Sequence, residues 1–373
     1  MKGASLGRHL GQLLILKIED PRWTSSRERL FERIRPAGVI LAGPKLPAAQ
    51  ATAELLRGIV QALEAKPVLC LEEEGGTVDP LQGCFPALPS PRSAAQNGHS
   101  SVERLGDLIG AALKLLGFNT NLAPVLDLST RRSETVLGAR TFSAHADEVA
   151  RCGQAFLLGL RRHGVIPSAK HFPGLAGSDC DQSYPALIGK PMGELWREDL
   201  LPYRHLLRHL PMVLVSNAAY KAYDYDLPEP AVTSERVIEG LLRVKLGYDG
   251  VVVADLSSRP GTQPFRDPLE AGIRSLRAGC DLLVLREDSA SAEALVDRIG
   301  GAMESGRVPS SRVEQALARV ARLRKWLEKP SGRISSLALD QLARRFEDFG
   351  RELAAQTINC SASRDQQRRS PNK

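Results

Sequence analysis

Aromatic residues make up only 5% of this 373-residue chain, and none of them interleaves with a basic stripe. A groove that stacks bases and tracks phosphates needs both, so we expect no nucleic-acid partner. Cysteine is sparse as well: Cys70, Cys84, Cys152, Cys180, Cys280 and Cys360 are scattered, with no CxxC and no histidine at ligand spacing. That excludes a disulfide scaffold, predicts mostly buried thiols, and gives no support for a metal site. Long apolar runs are absent. The best candidate, residues 13–18, ends at Glu19 and Asp20, far short of the roughly 20 residues of a membrane span. The same stretch lacks the longer apolar core and small-residue cleavage site of a signal peptide, so a cytoplasmic location is expected. Charge imbalance is mild. The net charge is +7, and the last 13 residues, SASRDQQRRSPNK, supply +3 of it as an expected disordered basic tail.

What the chain does contain is a rhythm. Apolar, strand-length runs fall at 13–18, 38–42, 68–71, 120–128, 166–171, 212–216, 250–254 and 281–285. Several are apolar throughout, as parallel strands covered on both faces should be. Helical patterns lie between them, including 48–65, 102–116, 147–162, 234–246 and 268–278. Ser234 is placed to cap one helix, and Gly117, Gly164, Gly247 and Gly279 are placed to end others. Eight such units predict an α/β fold, a (β/α)₈ barrel of TIM type in one domain over residues 1–328. Two further helices, 310–328 and 337–357, follow around a hinge at 330–336, giving a helical extension over 329–359 and a tail over 360–373.

In such a barrel the chemistry sits where strands end at their C-terminal side. Those positions hold Glu72-Glu73-Glu74-Gly75-Gly76, Asp127 with Arg140 beyond it, Lys170-His171, Asn217, Asp255 and Arg286-Glu287. Asp179 and Asp181 lie in the loop after Lys170-His171. Carboxylates, a Lys–His pair and an arginine at one rim suit a polar, polyhydroxylated substrate. A strand-end carboxylate often only caps the next helix, and a lone histidine is more often structural than catalytic. Asp255 stands out because it ends an otherwise apolar strand.

The runs GVIL (38–41), EEEGGTV (72–78), APVLDL (123–128), KHFPG (170–174) and GYDGVVVAD (247–255) resemble the N-terminal barrel of glycoside hydrolase family 3. They are most similar to its single-domain β-N-acetylhexosaminidase branch, which cleaves N-acetylglucosamine from peptidoglycan fragments. The resemblance implies that Asp255 is the nucleophile of a retaining hydrolysis, needing no cofactor and no metal. It implies that Lys170, His171 and Arg140 bind sugar, with Glu72 standing where the family has a sugar-binding aspartate. Four other positions depart from the family: Thr77 replaces an arginine, Ala139 an aspartate, Asn217 a histidine after the sixth strand, and Ser183 the acid/base histidine. Serine cannot supply that proton near neutral pH. Two expectations therefore stand side by side. One is a working glycosidase in which Asp181 or Asp179 donates the proton. The other is a weakened or inactive relative that binds a sugar or muropeptide-like ligand. The partner in either case is a small carbohydrate or peptidoglycan fragment.

Overall fold

The structure, a computed structural model, describes residues 7, 9–63, 65–177, 186–256, 265, 267–286, 289–328 and 334–369. Its strands are β1 (Leu14–Ile18), β2 (Gly38–Leu41), β3 (Val68–Leu71), β4 (Thr120–Asn121), β5 (Ile166–Phe172), β6 (Leu187–Ile188), β7 (Met212–Val215), β8 (Ala219–Tyr220), β9 (Val251–Asp255) and β10 (Leu282–Arg286). Eight of them close a parallel barrel in the order β1-β2-β3-β4-β5-β7-β9-β10, with β10 pairing back to β1, while β6 and β8 form a separate small ribbon. Each expected strand is present. Only the fourth is much shorter than expected, because Pro124 has no N–H to give the ladder. Pairing resumes beyond it as a single bridge from Val125 to Lys170.

The helices fall where the apolar spacing puts them: Ala49–Ala62, His99–Leu116, Ala146–Arg161, Arg236–Lys245 and Pro268–Ala278. Ser234 Oγ accepts from the Val237 N–H at 3.3 Å. Gly117, Gly164, Gly247 and Gly279 all adopt positive φ, the conformation that lets a chain leave a helix. Among the described residues no helix is long and apolar enough to cross a membrane.

The strand registers set the geometry of the site. Lys17 pairs with Ile40, Ile40 with Cys70, Cys70 with Thr120, and Thr120 with Ile166. Continued at the same register through β7, β9 and β10, this path returns to β1 eight residues below its start. A stagger of eight on eight strands means that residues at one height advance by one position per strand. Side chains alternate inward and outward along each strand, so each interior layer holds four residues from alternate strands. Ile15, Cys70, Ser168 and Val253 form one such layer, all buried. Two residues further along the same strands, Lys17, Glu72, Lys170 and Asp255 form the next.

At the foot of the barrel, Asp281 is fully buried beneath three guanidinium groups. Arg243 and Arg312 reach it at 2.6 Å each and Arg319 at 3.2 Å, and the Val252 N–H adds a fourth bond at 3.0 Å. Arg243 and Arg312 spend further donors on the carbonyls of Tyr248, Gly250, Leu276 and Cys280. Asp281 thus binds the helices Arg236–Lys245 and Ser310–Arg324 to the barrel.

The last helix, Ser336–Arg369, packs Leu342, Phe346, Phe349 and Leu353 inward at helical spacing, with Phe346 stacked on Phe85. Its backbone runs as helix to Arg369, two residues before the helix breaker Pro371. Most of the expected hinge at 330–336 lies outside the described residues.

Removing the shared anion should leave buried guanidinium groups uncompensated. Asp281→Ala is expected to lower unfolding free energy by about 3–5 kcal/mol, measured by guanidinium chloride titration. An unchanged transition midpoint would show that the foot does not depend on this carboxylate.

Candidate active site

The layer Lys17, Glu72, Lys170 and Asp255 caps the apolar barrel interior at the C-terminal ends of β1, β3, β5 and β9. Its signs alternate around the ring: cation, anion, cation, anion. Lys170 is fully buried, and its Nζ lies 2.6 Å from Glu72 Oε1 and 2.5 Å from Glu74 Oε1. Lys17 Nζ lies 3.8 Å from Asp255 Oδ2. Glu72 and Asp255 are the members most open to solvent, with 40% and 33% of their side-chain surface exposed.

The three glutamates after β3 take separate tasks. Glu72 continues the inward parity of Val68 and Cys70 and enters the ring. Glu73 turns away and accepts from the Gly75 N–H at 2.7 Å and the Leu81 N–H at 3.1 Å, bracing the loop. Burial, with Asp79 beside it, pushes the Glu73 carboxyl well above its usual range. Glu74 is brought back toward the axis by a turn through Gly75 and Gly76, at φ 86° and 64°. A side chain at Gly76 would meet Ser90 at 2.7 Å, so both position and conformation require glycine there. Glu74 then receives Arg140 through two parallel bonds of 2.7 Å, the strong bidentate geometry.

Arg140 itself sits in a loop tied down from behind. Arg92 donates to Glu134, Ser129 Oγ, the Gly138 carbonyl and Thr141 Oγ1. On β5, the pairing with β7 slips between Ala169 and Phe172, and the Lys170–His171 peptide is cis. Both side chains reach the mouth, Lys170 to the glutamates and His171 to Asp127. Asp127 is buried, takes His171 Nδ1 at 2.7 Å, and accepts the Leu175 N–H at 2.8 Å. Since a carboxylate only accepts, Nδ1 carries the proton and Nε2 is turned away from Asp127. Asp127 therefore both braces the rim and orients the histidine. Asn217 donates to the Asp255 carbonyl at 3.0 Å, so it steadies the end of β9 through the backbone rather than through the carboxylate.

Burial alone would push the Glu72 carboxyl up. Lys170, then Arg140 and Lys17, overcome this and hold it at about 2. Glu74 is likewise pushed up by burial and brought below its usual value by Lys170 and Arg140. Both are carboxylates at neutral pH.

Glu72, Arg140, Lys170, His171, Asn217 and Asp255 are thus gathered at one mouth, with Asp127. The loop holding Asp179, Asp181 and Ser183 lies outside the described residues, as do Glu287 and the Arg286 side chain. Sequence reasoning missed Lys17 and Arg92, and named Glu74 within the strand-end run without giving it a role. Lys17 carried the signal that exposed Asp255, a lone charge in the apolar strand LILKI. Among the described residues, a grouping with metal-ligand chemistry is His99, Glu148 and Cys152, between the helices His99–Leu116 and Ala146–Arg161; Glu148 already pairs with Arg151.

An exposed carboxylate at a barrel strand's end, flanked by cations and hydrogen-bond donors with fixed orientation, defines a barrel enzyme for a hydroxyl-rich substrate. The chain belongs to glycosyl hydrolase family 3, whose N-terminal domain matches residues 5–323. It is similar to a beta-hexosaminidase of Pseudomonas aeruginosa, 30% identical over 275 residues that cover 73% of this chain and 81% of that protein. It is 32% identical to the beta-hexosaminidase LpqI of Mycobacterium tuberculosis over 265 residues, 68% of this chain and 67% of that one. Among solved structures, a family 3 β-N-acetylglucosaminidase from Paenibacillus superposes with a TM-score of 0.83 at 26% identity, covering 92% of this chain and 68% of that one. The structure of Mycobacterium tuberculosis LpqI does so at 0.77 and 28%, covering 87% and 94%.

Lys170 holds two carboxylates in place, which gives a pH signature. In the wild type the depressed values of Glu72 and Glu74 contribute stability that is complete above about 4.5 and lost as pH falls, for Glu72 through about 2. In Lys170→Met the largest lowering influence is gone, so both carboxyl values rise and the stabilisation present at neutral pH is reduced. The melting temperature of the variant should therefore lie below wild type at pH 7, with the gap narrowing as pH falls and the carboxyls take up protons. A gap independent of pH would mean that the loss is packing alone.

Proposed function

We propose that this barrel removes terminal β-linked N-acetylglucosamine with retention of configuration, using Asp255 as nucleophile. The observation that carries this is the Asp255 carboxylate, one-third exposed and facing the barrel axis from the end of β9. In the first step an Asp255 oxygen bonds to the anomeric carbon as the glycosidic C–O bond breaks, and the leaving oxygen takes a proton. In the second, water adds to the same carbon, the ester bond breaks, and water's proton is released. Asp181 or Asp179 supplies and recovers that proton, in the role of the second carboxyl group of retaining glycosidases. Arg140, Lys170 and His171 orient the sugar. The names of the hexosaminidase relatives support the choice of sugar; that the substrate is a muropeptide-like fragment met in the cytoplasm is part of the same proposal.

Ser183, standing where that branch has its acid/base histidine, favours a second reading as a sugar-binding relative. The two separate cleanly. Under the hydrolase reading, nitrophenyl β-N-acetylglucosaminide releases nitrophenolate, and Asp255→Asn lowers kcat/KM by roughly a thousandfold or more. Asp181→Asn should cost roughly a hundredfold or more on an alkyl glycoside, whose leaving group needs the proton, and spare the nitrophenyl substrate's first step. Equal losses on both substrates would limit Asp181 to shaping its loop. If wild type turns over neither substrate while N-acetylglucosamine raises its melting temperature, the protein is a binder.

A further inference from the structure

Lys17 belongs to none of the motifs that mark the family resemblance, yet the barrel's stagger places it in the same interior layer as Glu72, Lys170 and Asp255. It is the cation between the two anions most open to solvent. Its ammonium lies 3.8 Å from Asp255 Oδ2, and its charge also acts on Glu72. Lys170 is committed at 2.5–2.6 Å to Glu72 and Glu74, and Arg140 at 2.7 Å to Glu74. Lys17 has no such short partner among the described residues, and 21% of its side chain is exposed. Among the described residues, Lys17 from β1, Lys170 from β5 and Glu72 from β3 share the layer of Asp255, and the Asn217 amide holds its backbone carbonyl. Lys17 forms an ion pair with the carboxylate.

We propose that Lys17 is a positioning residue for the Asp255 nucleophile, fixing the carboxylate's orientation and charge from the first strand; this deepens the glycosidase reading and rests on it. The charge on Asp255 changes twice in the reaction. It is lost as the glycosyl ester forms and regained as water cleaves the ester. A fixed ammonium beside it favours the ionised carboxylate at both ends. It restrains the first step slightly and promotes the second, in which the carboxylate is the leaving group. No proton passes through Lys17, and no bond is made to it.

Lys17→Met removes the charge at similar length, and Lys17→Arg restores it. The measurement uses a nitrophenyl glycoside, for which ester hydrolysis limits kcat. In Lys17→Met kcat and KM should fall together, by about tenfold, while kcat/KM holds or rises and the initial burst of nitrophenolate is kept; Lys17→Arg should restore both constants. Unchanged kcat and KM in a folded Lys17→Met overturn the proposal. So does a plain loss of kcat/KM that Lys17→Arg does not rescue. If wild type itself cleaves no glycoside, the glycosidase reading fails and this proposal with it, whereas an active wild type with an unaffected Lys17→Met sinks this proposal alone.

Discussion

Everything at the mouth depends on one layer of four charges closing an apolar barrel. Lysines alternate with carboxylates because the stagger brings every second strand to the same height, and the sequence puts a cation on β1 and β5 and an anion on β3 and β9. Taken singly, each charge would be costly above a core of isoleucine, valine and methionine. Arranged in alternation, every charge has a neighbour of opposite sign. The arrangement also leaves the site electrostatically uneven. Lys170 and Glu74 are buried and tightly paired, whereas Asp255 stays accessible. The proposed nucleophile needs that asymmetry, since a carboxylate bound as tightly as Glu74 could not reach a sugar.

Glu72, which stands where the resemblance implies an aspartate, gains a physical meaning from this layer. Its carboxylate accepts from Lys170 Nζ at 2.6 Å. An ammonium has three protons, and here two face Glu72 and Glu74. Arg140 gives Nε and one terminal nitrogen to Glu74, and its other terminal nitrogen makes no hydrogen bond among the described residues. Under the proposed glycosidase reading, the donors left for a sugar are few and rigidly aimed. His171 is held in the same manner, with Nδ1 fixed on Asp127.

Much of this was legible in the sequence because barrels are periodic. Parity within VVVAD places Asp255 inward from its strand alone, and KHFPG marks the end of β5 through its turn residues. The limits of the reading were equally physical. Lys17 lies in an apolar strand just as Asp255 does, but the run there was read as ending at Glu19 and Asp20, which follow the strand. Parity says that a residue faces inward; only the stagger says which inward residues share a height. Glu74 depended on the turn through two left-handed glycines, and Arg92 on long-range packing. Neither leaves a local pattern.

The last helix shows the same division. Leu342, Phe346, Phe349 and Leu353 announce an amphipathic helix by their spacing, while the charged composition of 360–369 carries no such signal. Composition describes what a segment can bury, whereas helix continuation asks only for a backbone without a breaker. A helix anchored by its first turns can carry a polar end that would not fold alone, since propagation is far easier than nucleation. Asp255 illustrates the converse at the site: its strand ends at the charged residue, and Asn217 steadies that end through the backbone carbonyl, leaving the carboxylate one-third exposed beside Lys17.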